Sequence, residues 1–253
     1  MSLNEEVRAF WEKEPCGTGK EITGTSVPLT REWFQEVENY RYAVEPFIHS
    51  IAQFPRHHGK KILELGVGAG TDHLQWARAG AQCYGVDLTD AAIETTKRHL
   101  ALYGLKSNLR RIDAATLPFE SSTFDLVYSW GVIHHSERPE KIISEIRRVL
   151  KPDGLFLGMM YAKYSVGVFN VWVKHALLKG KPWRSFEYIN WHHMESKGTK
   201  GYTIPTLRKL FAGFKNFEAK QLITVHDKKK WPAFISRFFP DSWGRYVVLR
   251  AIK

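Results

Sequence analysis

The sequence predicts an α/β protein in which a largely parallel sheet carries helices on both faces. Three observations favour this fold class. From residue 60 onwards, short apolar runs alternate with segments whose apolar residues recur at helical spacing. Several of these runs end in glycine or an acidic residue, which is typical of the ligand-binding edge of such a sheet. The chain of 253 residues is also long enough for one domain with insertions.

The residues before the first predicted strand indicate helices and loops. Val7, Phe10 and Trp11 fall at helical spacing, and apolar residues recur in the same way at 33–40 and 47–54. Prolines at positions 46 and 55 interrupt these segments. We therefore expect residues 1–59 to form a helical cap beside the sheet.

Strands and helices alternate between residues 60 and 162, which we interpret as the ligand-binding core. Strands are predicted at residues 62–65, 82–87, 109–112, 124–130 and 155–161, and helices at 73–79, 89–103 and 139–150. This alternation is typical of parallel strands, because each parallel pair needs a crossover connection.

The alternation stops at residues 163–202, an insert rich in aromatic residues that we expect to form a second part of the cap. It resumes in residues 203–253, with a helix at 206–211 and strands at 217–225 and 246–252. We expect the sixth strand to run parallel to its neighbours. The aromatic-rich connection at 225–243 would then lie on the ligand side of the sheet.

A glycine turn follows the first predicted strand. Gly66, Gly68 and Gly70 alternate with small residues, and an apolar helical stretch comes next. Thr71 occupies the position of the third glycine in a dinucleotide fingerprint, and no Lys-Ser/Thr pair follows to form a phosphate loop. Glu64, inside the strand, would repel a phosphate but suits an amino group. The turn therefore predicts a nucleotide-like ligand that carries a positive charge.

The following strand ends supply further ligand-binding candidates, because the crevice of an open parallel sheet lies at the carboxyl ends of its strands. A carboxylate at the second end suits the two hydroxyls of a ribose, and one at the third suits an adenine amino group. Helix capping is the alternative role for each acid taken singly. In chain order, the candidates are Asp87 and Leu88, Asp113 and Ala114, and Ser129 and Trp130.

Taken together, these motifs resemble the class I S-adenosylmethionine-dependent methyltransferases, in the type 11 branch that acts on small molecules. The resemblance covers residues 60–160 and rests on Glu64–Gly70, Asp87, Asp113–Phe119, Phe124-Asp125 with His134-His135, and Lys151–Gly154. It implies a Rossmann-like sheet of seven strands, the last one antiparallel, and S-adenosyl-L-methionine as the cofactor.

The resemblance also implies a set of cofactor-binding residues. Tyr42 joins the set because its helix must return to the first strand near the cofactor. The full set is Tyr42, Glu64, Gly66, Gly68, Gly70, Asp72, Asp87, Leu88, Asp113, Ala114, Ser129 and Trp130.

Methyl transfer from a sulfonium needs a general base only when the acceptor is protonated at neutral pH. His134, one turn beyond the fourth strand, is the candidate base, and holding its loop through a backbone hydrogen bond is its alternative role. We expect His135 to be structural. The histidines lack metal-ligand spacing, so we predict no metal.

The composition of the chain limits the kinds of partner that we expect it to bind. The net charge of +11 is scattered along the chain, so we expect no nucleic acid. No stretch is apolar enough to span a bilayer, although a peripheral membrane contact stays open, as does the oligomeric state. The two cysteines are too few for a disulfide framework, which favours a reducing cytoplasm.

The aromatic inserts favour a small, partly apolar or aromatic acceptor, although they are equally suited to forming the core of the inserts themselves. Two alternatives with the same fold stay open: a methyltransferase acting on tRNA or protein, and a protein that binds the cofactor without catalysis. An oxidoreductase is disfavoured by Thr71.

Overall fold

The computed structural model of the chain describes residues 2–253. One sheet of seven strands has the order β3-β2-β1-β4-β5-β7-β6. The strands are β1 (Lys61–Leu65), β2 (Gln82–Asp87), β3 (Asn108–Arg111), β4 (Phe124–Trp130), β5 (Leu150–Tyr161), β6 (Lys215–Leu222) and β7 (Tyr246–Ile252).

The helices fall into three groups along the chain. Before the sheet lie α1 (Leu3–Trp11), α2 (Lys20–Thr23), α3 (Arg31–Val44) and α4 (Ile48–Ala52). Between the parallel strands lie α5 (Thr71–Arg78), α6 (Asp90–Ala101) and α7 (Pro139–Val149). After β5 come α8 (Val166–His175), α9 (Phe186–His193), α10 (Ile204–Leu210), α11 (Val225–Lys228) and α12 (Ala233–Ser236). Single 3-10 turns occupy Phe54–His57, Ile133–His135, Leu177–Lys179 and Asp241–Trp243.

The predicted fold class is confirmed, with one correction to its strand directions. Strands β1 to β5 pair in parallel, and β7 is antiparallel to β5. The expectation that β6 runs parallel to its neighbour is wrong, because β6 pairs antiparallel with β7. Two antiparallel steps nevertheless return β6 to the direction of β5. The end of β6 therefore reaches the same edge of the sheet as the ends of the parallel strands.

The start of β5 also differs from the prediction. The strand begins at Leu150, and the expected turn at 151–154 lies within it as an irregularity. Asp153 takes a left-handed conformation there, with φ of 59°. Glycine at position 154 allows close packing, since a Cβ there would press on the Lys151 backbone.

Each face of the sheet has its own apolar core. Leu63 and Leu65 pack into one cluster with α7 and α10, whereas Ile62 packs into the other with α4 and α5. This division follows from the alternation of side chains along a strand. Among residues 2–253, no helix is long and apolar enough to cross a membrane.

The N-terminal cap is held over the sheet edge by specific contacts. A capping box between Ser2 and Glu5 begins α1, and the Thr30 hydroxyl caps α3. The Asn4 side-chain amide donates to Asp113 across 2.8 Å, and Arg8 contacts Asp90 at 3.0 Å. The insert after β5 has a small core of its own around Val168, Ala176 and Ile189.

Candidate functional site

A cavity of about 420 Å³ lies at the carboxyl ends of β1, β2, β4 and β5. Helices α1 and α3 enclose it on the side opposite the sheet, together with single residues from the chain after β5 and from the stretch around β7. Its size falls in the range of roughly 300–1,000 Å³ that is usual for small-molecule sites.

The glycine turn forms the floor of this cavity. Gly66, Gly68 and Gly70 all have positive φ, at 78°, 53° and 75°. Side chains are strained in this region, and a Cβ at Gly66 would also collide with Val132. Gly66 and Gly68 line the cavity, whereas Gly70 lies at the N-cap of α5 against Thr96.

Asp87 connects the glycine turn to the second strand end. Its carboxylate accepts hydrogen bonds from the Gly68 amide at 3.2 Å, the Thr89 amide at 3.0 Å and the Thr89 hydroxyl at 2.8 Å. Burial raises the pKa of Asp87, and these hydrogen bonds oppose that effect. A carboxylate has about four acceptor positions, so one is left for a ligand hydroxyl.

Asp113, at the third strand end, is also partly satisfied within the protein. It accepts from the Ala115 amide at 2.8 Å and from Asn4 at 2.8 Å. Because Asn4 belongs to α1, the N-terminal cap and the strand end form this part of the cavity together. Leu88 and Ala114 lie in the cavity wall beside the two acids.

A network of buried charges forms the side of the cavity under α3. Asp72 accepts from Arg41 at 2.6 Å, from Tyr42 at 3.0 Å and from Tyr128 at 2.8 Å. Burial alone would raise the pKa of Asp72, but the Arg41 guanidinium and these donors lower it. Arg41 also pairs with Glu45 at 2.9 Å.

Two further carboxylates in the lining have raised pKa values. Burial raises the pKa of Glu45, although its partners Arg41 and Trp130 oppose the shift. Burial, followed by the neighbouring Asp72 charge, raises the pKa of Glu64 well above its usual value. His73 contacts Glu64 at 2.9 Å.

The lining as a whole is acidic, in contrast to the net charge of +11. Arg41 and Arg245 are its only Lys or Arg side chains within the described chain. Such a surplus of carboxylates favours a ligand with positive charge. The acidic residues of the lining are Glu45, Glu64, Asp72, Asp87, Asp113 and Glu195.

Four predicted site residues lie behind the lining rather than in it. Tyr42 contacts Asp72 from behind, and its neighbour Arg41 faces the cavity instead. Ser129 is fully buried, with its hydroxyl 3.4 Å from the Leu65 carbonyl. Gly70 and His134 are the other two.

The structure places the two adjacent histidines differently from the sequence prediction. His134 is fully buried, stacks on Tyr161 with ring centroids 4.0 Å apart, and does not reach the cavity. His135 lines the cavity. The 3-10 turn at Ile133–His135 sends successive side chains in different directions, which the sequence alone does not specify.

The hydrogen bonds of His135 favour one tautomer. Thr199 donates its only hydroxyl proton to the Ser196 carbonyl at 2.6 Å, so its oxygen must accept from His135 Nδ1 at 3.0 Å. The Ser196 hydroxyl oxygen also lies 2.8 Å from Nδ1. A proton on Nδ1 satisfies both contacts, whereas an unprotonated Nδ1 would face the Thr199 oxygen lone pair to lone pair, so this arrangement favours the tautomer with the lone pair on Nε2. Within residues 2–253 this Nε2 has no hydrogen-bond partner, and Glu195 Oε2 lies 3.7 Å away.

Aromatic side chains form the wall beside His135. The Tyr161 and Tyr246 rings stack at 5.7 Å, and Trp11 meets the His135 ring edge-on at 5.6 Å. Tyr161 donates its hydroxyl to Glu195 at 2.7 Å. Sequence reasoning missed these residues, because α1 and β7 reach the site only through tertiary packing. Within the described residues, no cluster of three His, Cys, Asp or Glu side chains is placed to hold a metal.

Comparisons with known proteins agree on the fold and on the domain type. A family described as a methyltransferase domain matches residues 63–158. The uncharacterized methyltransferase YcgJ of Bacillus subtilis is 32% identical over 98 residues, which are 38% of this chain and 39% of YcgJ. The chain thus spans about two fifths of the length of that relative.

Two other relatives extend over more of the chain. The ubiquinone biosynthesis O-methyltransferase of Haemophilus ducreyi is 28% identical over 171 residues, 60% of this chain and 72% of that protein. The structure of a putative methyltransferase from Haloferax volcanii, solved with its Trm112 activator, superimposes with a TM-score of 0.62 at 16% identity. This match covers 99% of this chain and 97% of the other, and it shows a shared fold.

Proposed function

We propose that the chain is a class I S-adenosylmethionine-dependent methyltransferase that methylates a small, partly apolar or aromatic molecule by in-line displacement. The observation that carries this proposal is the acidic cavity at the glycine turn. An anionic ligand would be repelled there, whereas a ligand with an ammonium and a sulfonium group is favoured.

The residues of the cavity fit this cofactor. Asp87 has an acceptor position free for the ribose hydroxyls, and Asp113 lies beside Ala114 where an adenine would pack. Glu64 would accept from the amino group of the methionine end. Asp72, whose acceptor positions are filled by Arg41, Tyr42 and Tyr128, would act on that group only through its charge. Arg41, whose guanidinium faces the same cavity, would bind the carboxylate. When bound, the cofactor supplies a methyl group that is activated by the sulfonium charge.

The acceptor side of the cavity is formed by aromatic rings. Trp11, Tyr161 and Tyr246 line the region around His135. Flat apolar walls of this kind suit a ring-bearing acceptor and also exclude water. The relatives named as ubiquinone biosynthesis O-methyltransferases support an acceptor of this type with a hydroxyl group.

His135 takes the role of general base for such a hydroxyl. Burial lowers the pKa of His135 to about 3, so the imidazole is neutral at pH 7 with a free Nε2 lone pair. The same burial makes it a weak base, so proton transfer to Nε2 would depend on a negative charge beside the imidazolium. The proton would leave the acceptor oxygen as that oxygen bonds to the methyl carbon. The Glu195 carboxylate, 3.7 Å from Nε2, would stabilise the imidazolium that results.

Two measurements test the proposal in order. Calorimetry should detect binding of S-adenosylhomocysteine and no binding of NAD, and the reverse result would overturn it. Radiolabelled S-adenosylmethionine is then offered with phenolic, isoprenoid and glycosidic acceptors. Label transfer to a phenol but not to its methyl ether would identify a hydroxyl as the acceptor. Binding without transfer to any member would favour a protein that binds the cofactor without catalysis.

A further inference from the structure

A second region, on the outside of the molecule, combines exposed apolar side chains with basic ones. Most of the large apolar side chains that are exposed in residues 2–253 lie in the segments at 164–183 and 225–243. We call these two segments the outer patch. Its exposed apolar members are Tyr164, Phe169, Leu177, Leu178, Trp183, Val225, Phe234, Ile235, Phe238 and Trp243.

The two segments of the outer patch belong to one surface. Helix α11 packs against α8, so the two segments meet along these helices. Lys230 lies close enough to His175 to be among the charges that, after burial, lower the pKa of that imidazole. The exposed apolar side chains of the two segments therefore lie on adjoining parts of the surface. Exposed apolar side chains gathered in this way mark an interaction surface.

The charge of the outer patch is predominantly positive. Its two segments contain seven basic residues and two acidic ones, of which Asp227 is buried and Asp241 is exposed and pairs with Lys220 at 3.1 Å. The basic residues are Lys174, Lys179, Lys181, Lys228, Lys229, Lys230 and Arg237, and Lys163 and Arg184 adjoin the first segment. Arg237 lies over the ring of Phe238 at 4.6 Å, and Lys163 lies near the ring of Tyr164 at 5.9 Å. Basic side chains placed beside exposed aromatic rings are typical of proteins that bind at a membrane interface.

A shallow depression adds a place for an anionic group. It is lined by Lys181, Trp183, Arg184, Ser185 and Tyr188. Trp183 is 76% exposed, so its ring is available to a partner. The Arg184 guanidinium lies 4.6 Å from the Tyr188 ring, which orients it at this surface.

We propose that the outer patch docks the protein on an anionic lipid bilayer, with its aromatic side chains at the level of the headgroups. The charge complementarity selects this occupant, because a surface with seven basic residues and one exposed acidic residue would repel a second copy of itself. His226, near the start of the second segment, and Arg245, just after its end, also line the cavity. Docking would therefore bring the cavity close to the lipid surface.

Sedimentation with vesicles tests the proposal. The full chain should pellet with vesicles containing phosphatidylglycerol and stay in solution with pure phosphatidylcholine. The double substitution F234S/F238S should abolish the pelleting, because it removes two exposed rings. The matched control is F10S/V27S, which alters exposed apolar residues outside the outer patch and should pellet like the unaltered chain.

A second pair of variants addresses the charge without altering apolar residues. Each lysine near an anionic surface contributes about fivefold to the partition coefficient. K179E/K229E should therefore weaken binding by at least about 25-fold. The control is K97E/K106E, which alters lysines in and just after α6, outside the outer patch, and it should change binding little.

Three results would overturn the proposal. One is the absence of binding to anionic vesicles by the unaltered chain. Another is equal binding by the patch variants and their controls, with folding verified by circular dichroism. The third is a dimer, detected by sedimentation velocity, that F234S/F238S dissociates, since the outer patch would then bind a second copy of the chain.

Discussion

The cavity and the outer patch have opposite electrostatic character within one chain. The cavity gathers six acidic side chains against two arginines, whereas the outer patch has seven basic residues against two acidic ones, of which Asp227 is buried. The net charge of +11 therefore describes the outer surface and not the site. Buried charges interact strongly at short range because the dielectric constant around them is low, whereas water and dissolved ions screen the interactions of surface charges. A conclusion about ligands from net charge alone would have been wrong for the cavity.

The largest expected effect concerns the charge balance of the cavity. R41M would leave Asp72 and Glu45, which are 4% and 6% exposed, without their shared cation. We expect the free energy of unfolding to fall by about 3–5 kcal/mol, the usual cost of breaking a buried ion pair. Urea denaturation measures this change.

The control for R41M is R56M, which removes an exposed guanidinium that has no acidic partner among the described residues. It should change stability by less than about 0.5 kcal/mol. Equal effects of the two variants would show that the cavity network is no more sensitive to charge than the surface.

The second effect is on catalysis. H135Q should lower kcat by about 100-fold or more, since general bases contribute roughly 10² to 10⁴. The Kd of S-adenosylhomocysteine should stay within about twofold, because in the proposed arrangement His135, a residue of the cavity lining, contacts the acceptor and not the cofactor. H192Q, at an exposed histidine of the insert, is the control and should retain full activity.

The pH profile of the unaltered chain sharpens this prediction. The pKa of His135 is lowered to about 3, so the imidazole becomes protonated only as the pH falls through that value. We therefore expect no loss of kcat from this residue between pH 8 and pH 5.5. A decline with a midpoint near 6.5 that disappears in H135Q would show that His135 is more open to water than its burial indicates.

The third effect is on cofactor affinity. D87A should weaken S-adenosylhomocysteine binding by about 1.5–3 kcal/mol, the contribution of hydrogen bonds to a charged group. E94Q, at an exposed carboxylate of the next helix, serves as the control. An unchanged Kd in folded D87A would mean that this carboxylate only orders the Gly68 and Thr89 amides.

The smallest expected effect is that of salt concentration on ligand binding in the cavity, and it contrasts with the effect of salt on the outer patch. Raising NaCl from about 0.05 to 0.5 M shortens the screening length several-fold. The Kd of S-adenosylhomocysteine should change by less than about twofold, because Glu64 and Asp72 are buried and Asp87 and Asp113 are half-buried, so salt screens them little. Pelleting with anionic vesicles should decrease steeply over the same range. A parallel decrease in both would contradict the distinction between a buried site and a screened surface.

The sequence by itself determined the features that depend on neighbouring residues. The apolar runs specified the strands and the glycines specified the turn, because strand periodicity and positive φ are local properties. Asp87 and Asp113 could be predicted because each lies at or just after the end of a strand. Nine of the twelve predicted cofactor residues line the cavity for this reason.

Tertiary structure alone decided what the cap and the last strands bring to the site. Glu45, Glu195 and Tyr246 converge from segments far apart in the chain, and no short-range pattern encodes that convergence. The choice between His134 and His135 depended on how a 3-10 turn packs against Tyr161. The direction of β6 was likewise decided by its pairing with β7, since side-chain alternation is the same in parallel and antiparallel strands.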